Sequence, residues 1–172
     1  MNTIKLNFII RVVFVLVFLV MGTQLVQGQA KISVNGGFPI GDAQDLSTFS
    51  GMVDVGYLLE VTDNMKLGPS VGYLHSFGKD LDVGFGTIEV ADTAFVPISG
   101  AIRFEISDAL SFGTEIGYAL GLKKPSSGGL YYAPSILLSI GSYLDMVAAY
   151  RGISLKTASW DVISIGLELK LN

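Results

Sequence analysis

The chain has 172 residues, half of them hydrophobic and only 15% charged, with 21 glycines, no cysteine and a net charge of −4 at pH 7. Average soluble domains carry about 25% charged residues, so this chain is poor in charge for its length, and its apolar content excludes disorder. The missing cysteine removes disulfide scaffolds, thiol nucleophiles, cysteine-ligated zinc and iron–sulfur clusters, while the acidic balance lacks the basic footprint of a nucleic-acid binder.

Met1 to Arg11 holds Lys5 and Arg11 and no acid, Val12 to Met21 is an unbroken apolar run, and Gly22 to Ala30 is small and polar. Basic, apolar and small-residue regions in that order predict a secretory signal peptide. The run is short of the roughly 20 residues a spanning helix needs, and extending it back through Phe8, Ile9 and Ile10 would place Arg11 in hydrocarbon. Residues 1–28 are therefore expected to be the signal peptide and 29–172 the mature domain, with cleavage after Gly28 or, alternatively, Ala30. Cleavage removes two bases and no acid, so the net charge moves from −4 to −6. No second apolar run is long enough to span, so any crossing must be made by strands.

Strands place successive side chains on opposite faces, and the mature chain alternates eight times. The first strand is predicted at about 31–38. In the second, Val53, Val55, Tyr57, Leu59 and Val61 oppose Met52, Asp54, Gly56, Leu58 and Glu60. A third covers about 65–77. Then Val96, Ile98, Gly100, Ile102, Phe104 and Ile106 oppose Pro97, Ser99, Ala101, Arg103 and Glu105, and Leu110, Phe112, Thr114, Ile116, Tyr118 and Leu120 oppose Ser111, Gly113, Glu115, Gly117 and Ala119. Two less regular strands lie near 129–141 and 144–152. The last sets Ile163, Ile165, Leu167, Leu169 and Leu171 against Ser164, Gly166, Glu168 and Lys170. Tight turns are expected at Asp63-Asn64, Ser107-Asp108 and Gly141-Ser142, and longer connections at about 37–50, 78–92, 121–128 and 152–159.

Long and short connections in strict alternation describe an all-β, eight-stranded antiparallel up-and-down transmembrane β-barrel. Tyr73, Phe77, Tyr118, Tyr132 and Tyr150 fall on the apolar face near the loop end, with Trp160 starting its strand there, and Phe104 and Phe112 fall near the turn end. Two aromatic girdles around an aliphatic band mark a lipid-facing exterior. The opposite face is rich in Gly, Ser and Ala, which suits an eight-strand interior; a soluble barrel would invert this and cover its exterior with Lys and Glu.

The signal sequence, the opening strand Lys31-Ile32-Ser33-Val34-Asn35-Gly36-Gly37-Phe38 and the repeated pairs Gly56-Tyr57, Gly72-Tyr73 and Gly117-Tyr118 resemble the small eight-stranded bacterial outer-membrane β-barrels of the OmpA/OmpX-like class over about 30–172. The chain departs from many of them at its end, Leu-Lys-Leu-Asn172, where an aromatic residue is usual. The resemblance implies a Gram-negative outer-membrane location with both termini periplasmic, and outer-membrane lipid and lipopolysaccharide as surroundings.

The inward face is expected to hold a charge network of Asp54, Glu60, Arg103, Glu105, Glu115, Arg151, Glu168 and Lys170, with Asp145 beside it. A narrow interior cannot leave charges unpaired, so salt bridges that plug the lumen are expected. The other reading is a cation-preferring path, since the six acids outnumber the three bases. His75 is the only histidine and Ser76 follows it, but neighbours in a strand face opposite ways and cannot form one nucleophile–base pair. No catalytic residue, metal ligand or cofactor site is expected; Asp42, Asp45, Asp80, Asp82, Glu89 and Asp92 read as a solvated acidic face, being too widely spaced for a calcium loop. The functional expectation is a monomeric, non-enzymatic barrel with a packed lumen. It would act structurally or through long extracellular loops that meet a ligand. A narrow porin-like channel is the alternative, and a lipid A-modifying enzyme a third reading.

Overall fold

In the computed structural model, residues 28–82, 87–122 and 128–171 are described; the expected signal peptide lies outside them apart from Gly28. Eight barrel strands follow one another in antiparallel order. They are β1 (Gly28–Ile40), β2 (Ser47–Thr62), β3 (Met65–Gly78), β6 (Thr93–Glu105), β7 (Leu110–Gly121), the pair β8 (Gly129–Tyr132) and β9 (Ser135–Ser139), β10 (Leu144–Ser154) and β11 (Ser159–Leu171). A small hairpin, β4 (Asp80–Asp82) and β5 (Thr87–Glu89), rises from the connection between β3 and β6.

The sheet closes on itself. β11 pairs with β10 on one side and with β1 on the other, from Ala30 opposite Leu171 to Ile40 opposite Asp161. Closure matters because unpaired N–H and C=O groups have no water to bond in a bilayer core. β8 and β9 make one barrel strand. Pro134 has no N–H to donate, yet Ala133 exchanges hydrogen bonds with Glu115, and the Pro134 carbonyl accepts from the Tyr150 N–H at 3.0 Å.

The alternation read from the sequence sorts outside from inside. Ile32, Val34, Val53, Val55, Ile98, Ile116, Ile163, Ile165 and Leu167 are exposed, whereas Lys31, Ser33, Asn35, Asp54, Ser99, Arg103, Ser164 and Glu168 are buried. A water-soluble barrel would have the reverse pattern. At the loop end, Phe38, Phe49 and Phe77 pack in sequence across β1, β2 and β3, with centroids 5.9 and 6.4 Å apart, and His75 continues the row towards Tyr73. At the turn end, Phe104 lies opposite Phe112.

Two expectations are corrected. The first is loop length: β1 runs to Ile40, β2 starts at Ser47, and β10 and β11 extend to Ser154 and from Ser159. The loop-end connections are therefore 41–46, 79–92, 122–128 and 155–158, and only the hairpin-bearing one is long. The second is Trp160, which points into the barrel and is 6% exposed. It shares the inward parity of Val162 and Ser164, and its indole N–H donates to Ser76 Oγ at 3.0 Å.

Candidate functional site: the lumen and its two mouths

From the turn end inward, the first feature is an open vestibule of about 480 Å³ lined by Lys66, Arg103, Glu105, Asp145 and Lys170. At its rim Lys66 pairs with Glu105 at 2.8 Å and Glu60 at 3.4 Å, two half-exposed carboxylates. Glu60 and Glu105 thus belong to the exposed mouth. Below them Lys170 pairs with Asp145 at 2.6 Å, and Arg103 meets Glu168 while passing 3.8 Å from Asp145.

Arg103 lines the vestibule and also a small cavity of about 30 Å³ at mid-barrel. That volume exceeds the roughly 10–15 Å³ a water needs. The cavity is bounded by Lys31, Asp54, Glu115, Arg151 and Glu168. Lys31 Nζ donates to Glu115 at 2.7 Å and lies 3.8 Å from Glu168, and Glu115 also accepts from Ser70 and Ser99 at 3.2 and 3.0 Å. Arg151 clamps Asp54 with two bonds, at 3.1 and 2.7 Å, and donates a third to the Tyr131 hydroxyl at 2.9 Å. Asp54 further accepts from Ser33 at 2.9 Å and Asn35 at 3.4 Å. The Nε atoms of Arg103 and Arg151 have no protein partner, which suits waters in the cavity both residues line. Two inward glycines make room: a Cβ on Gly72 would strike the Asp54 carboxylate, and one on Gly56 would meet the Lys31 stem at 2.7 Å.

Above this layer the interior turns apolar. Met52, Leu74, Phe95, Ala119, Tyr131, Ile153, Trp160 and Val162 form one buried cluster, with Phe95 and Trp160 ring centroids 5.9 Å apart. The polar groups threaded through it include the Ser50 and Ser76 hydroxyls, 2.6 Å apart, with Ser76 accepting from Trp160. At the loop end the barrel finishes in a second cleft of about 450 Å³, lined by Asp42, Leu46, Lys156 and Trp160 among others.

The eight sequence-derived network residues separate into a rim pair, Glu60 and Glu105, four buried residues, Asp54, Arg103, Arg151 and Glu168, and two part-buried ones, Glu115 and Lys170. Lys31 and Lys66 were missed as their partners, although each follows the inward parity of its own strand. With Lys31 counted, the ion pairs below the rim set Asp54, Glu115, Asp145 and Glu168 against Lys31, Arg103, Arg151 and Lys170, of which Asp145 and Lys170 also line the open vestibule. The excess of acids that suggested a cation path is absent from this layer. His75 faces outward, 3.1 Å from the Tyr73 hydroxyl through Nδ1 and 3.2 Å from Asp92 through Nε2, while Ser76 faces inward. The two are on opposite sides of the barrel wall.

No protein-family model and no curated protein matches the chain. Solved structures do. The Yersinia pestis outer membrane protein Ail, in a phospholipid bilayer nanodisc, is 18% identical with a TM-score of 0.61, over 84% of this chain and all of that one. Ail has also been crystallised with the heparin analogue sucrose octasulfate, a structure 13% identical to this chain with a TM-score of 0.57, over 84% of this chain and 99% of that one. The N-terminal β-barrel domain of Pseudomonas aeruginosa OprF is 14% identical with a TM-score of 0.57, over 85% of this chain and 99% of that one. The chain thus has the fold of the small eight-stranded transmembrane barrels of bacterial outer membranes. At this identity the likeness concerns fold alone.

Proposed function

We propose that the protein is a monomeric, non-enzymatic outer-membrane barrel with a closed lumen, set among outer-membrane lipid and lipopolysaccharide with its turn end and both termini in the periplasm. Its loop end is the working face. The observation that carries this reading is the double layer inside the barrel, a charge-balanced ion-pair layer capped by the apolar cluster around Phe95 and Trp160. An eight-strand interior is just wide enough for such side chains, and an apolar layer offers a permeating ion nothing to replace its hydration.

One observation favours the channel reading: among the described residues Arg103 alone borders both the vestibule and the mid-barrel cavity, so its movement would join them. Planar-bilayer recording separates the two. The wild type and Arg103→Ala are both expected to stay silent, because the apolar cluster persists in each. Stable single-channel steps that change in Arg103→Ala would overturn the closed lumen. Unchanged lipid A masses in cells with His75→Ala are expected of a non-catalytic barrel; loss of a modified species in that variant would establish an enzyme instead.

A further inference from the structure

Beside the mid-barrel cavity it is donors, not acceptors, that go unused. Asp54 accepts two bonds from Arg151 and one each from Ser33 and Asn35, and Glu115 accepts from Lys31, Ser70 and Ser99. Among the described residues lining the cavity, the buried side-chain atoms without a partner are both N–H groups, Nε of Arg103 and Nε of Arg151. The two arginines are 5% and 6% exposed. A buried donor left unsatisfied forfeits the hydrogen bond it made to water in the unfolded chain, so an acceptor is required at both.

Charge and volume decide what accepts. The ionisable groups on the wall are Lys31, Arg103 and Arg151 against Asp54, Glu115 and Glu168, three of each sign and all six paired. An anion would add an uncompensated charge to this balanced, buried set, which is costly; a neutral acceptor adds none. About 30 Å³ admits about two waters at roughly 10–15 Å³ each and is far below the size of a small-molecule site. Leu58, Ala101, Leu137, Val147 and Ala149 complete the wall and make no competing hydrogen bonds through their side chains.

Access differs between the two ends. Among the described residues Arg103 alone borders both the cavity and the open turn-end vestibule. Towards the loop end Arg151 donates to the Tyr131 hydroxyl, and Tyr131 belongs to the apolar cluster with Met52, Leu74, Phe95 and Trp160. We propose that the cavity is a hydration site whose waters accept from Arg103 Nε and Arg151 Nε, and that these waters exchange past Arg103 with the turn end alone. The barrel is then a water path open at one end and stopped at mid-height. The stop rests on the closed lumen proposed above; the hydration site does not.

Radiolytic footprinting tests both, because hydroxyl radicals made by an X-ray pulse oxidise the side chains beside the water they came from. The exported protein in nanodiscs carries three matched reporters. Leu58 and Leu137 line the cavity and Leu74 lies in the apolar cluster, at 1%, 2% and 2% exposure. Leu58 and Leu137 are expected to oxidise several-fold faster than Leu74. Ala149→Val, which fills the cavity, should bring them down to the rate of Leu74 while the folded barrel keeps its heat-dependent gel shift. After rapid mixing with heavy-oxygen water, the label should reach Leu137 sooner in Arg103→Ala than in the wild type, and Leu74 in neither. Leu58 and Leu137 as slow as Leu74 in the wild type would overturn the hydration site and leave the lumen closed. All three fast would overturn the one-ended path and the closed lumen with it. Rates that change when chloride is replaced by sulfate would assign the site to an anion and overturn the choice of water.

Discussion

The proposed closed lumen makes a sharp energetic prediction at Arg151. Its guanidinium is buried, clamps Asp54 through two bonds and donates a third to Tyr131. Arg151→Met keeps most of the side-chain volume and removes the charge, leaving Asp54 with Ser33 and Asn35 as its remaining donors. Breaking a buried pair from one side costs about 3–5 kcal/mol, most of it the stranded charge. That corresponds to roughly a hundred- to several-thousand-fold in the unfolding equilibrium. Lys66→Met at the vestibule rim is the control. Its partners Glu60 and Glu105 are 44% and 38% exposed, so about 0–1 kcal/mol is expected. Adding Asp54→Asn to Arg151→Met removes the stranded carboxylate and should recover much of the loss. Urea unfolding from lipid vesicles, followed by Trp160 fluorescence, measures all four proteins. Equal small losses for Arg151→Met and Lys66→Met would mean that mid-barrel is as wet as the rim, and would refute the closed lumen on thermodynamic grounds.

Three further outcomes follow from the same geometry. Ile165→Arg, at a 60% exposed lipid-facing position midway along β11, should destabilise the barrel in vesicles by about 2–4 kcal/mol; a neutral effect would indicate a water-facing exterior. Because Trp160 is turned into the barrel, lipids brominated along the acyl chain should quench it weakly, and strong quenching would restore it to the outer girdle. Intact-mass analysis of the exported protein should give Gln29 as the first residue, since cleavage after Ala30 would remove a residue paired with both Tyr57 and Leu171; a chain starting at Lys31 would contradict this.

The faces of the strands were legible because lipid and lumen impose opposite demands on neighbouring residues. In β11, Ile163 to Leu171 and Ser164 to Lys170 separate without exception. Strand ends were not legible, for the same reason. Lumen positions are small and polar, so Ser47 and Ser50 read as loop chemistry although they continue β2. Trp160 was misread because an aromatic residue at a strand end suggests a girdle; its parity with Val162 carried the correct answer. Lys31 and Lys66 could have been found by the same parity. The pairing itself could not, because Asp54 and Arg151 lie 97 residues apart and meet only when the cylinder closes.

The order of inward residues along each strand explains why the interior is divided as it is. From turn end to loop end, β6 presents Arg103, Ala101, Ser99, Pro97 and Phe95; β11 presents Glu168, Gly166, Ser164, Val162 and Trp160; β2 presents Leu58, Gly56, Asp54, Met52 and Ser50. Ionisable side chains sit where the vestibule brings water to within one residue, Arg103, of the mid-barrel cavity. Burying them there costs less than burying them beyond the reach of solvent. Past Arg151 and Tyr131 the wall supplies almost no polar partners, and the interior is filled instead by large apolar side chains. The apolar layer therefore does two things at once. On the closed-lumen reading it withholds the hydration a permeating ion would need, and it packs the ring of Trp160 against Phe95 at the loop end.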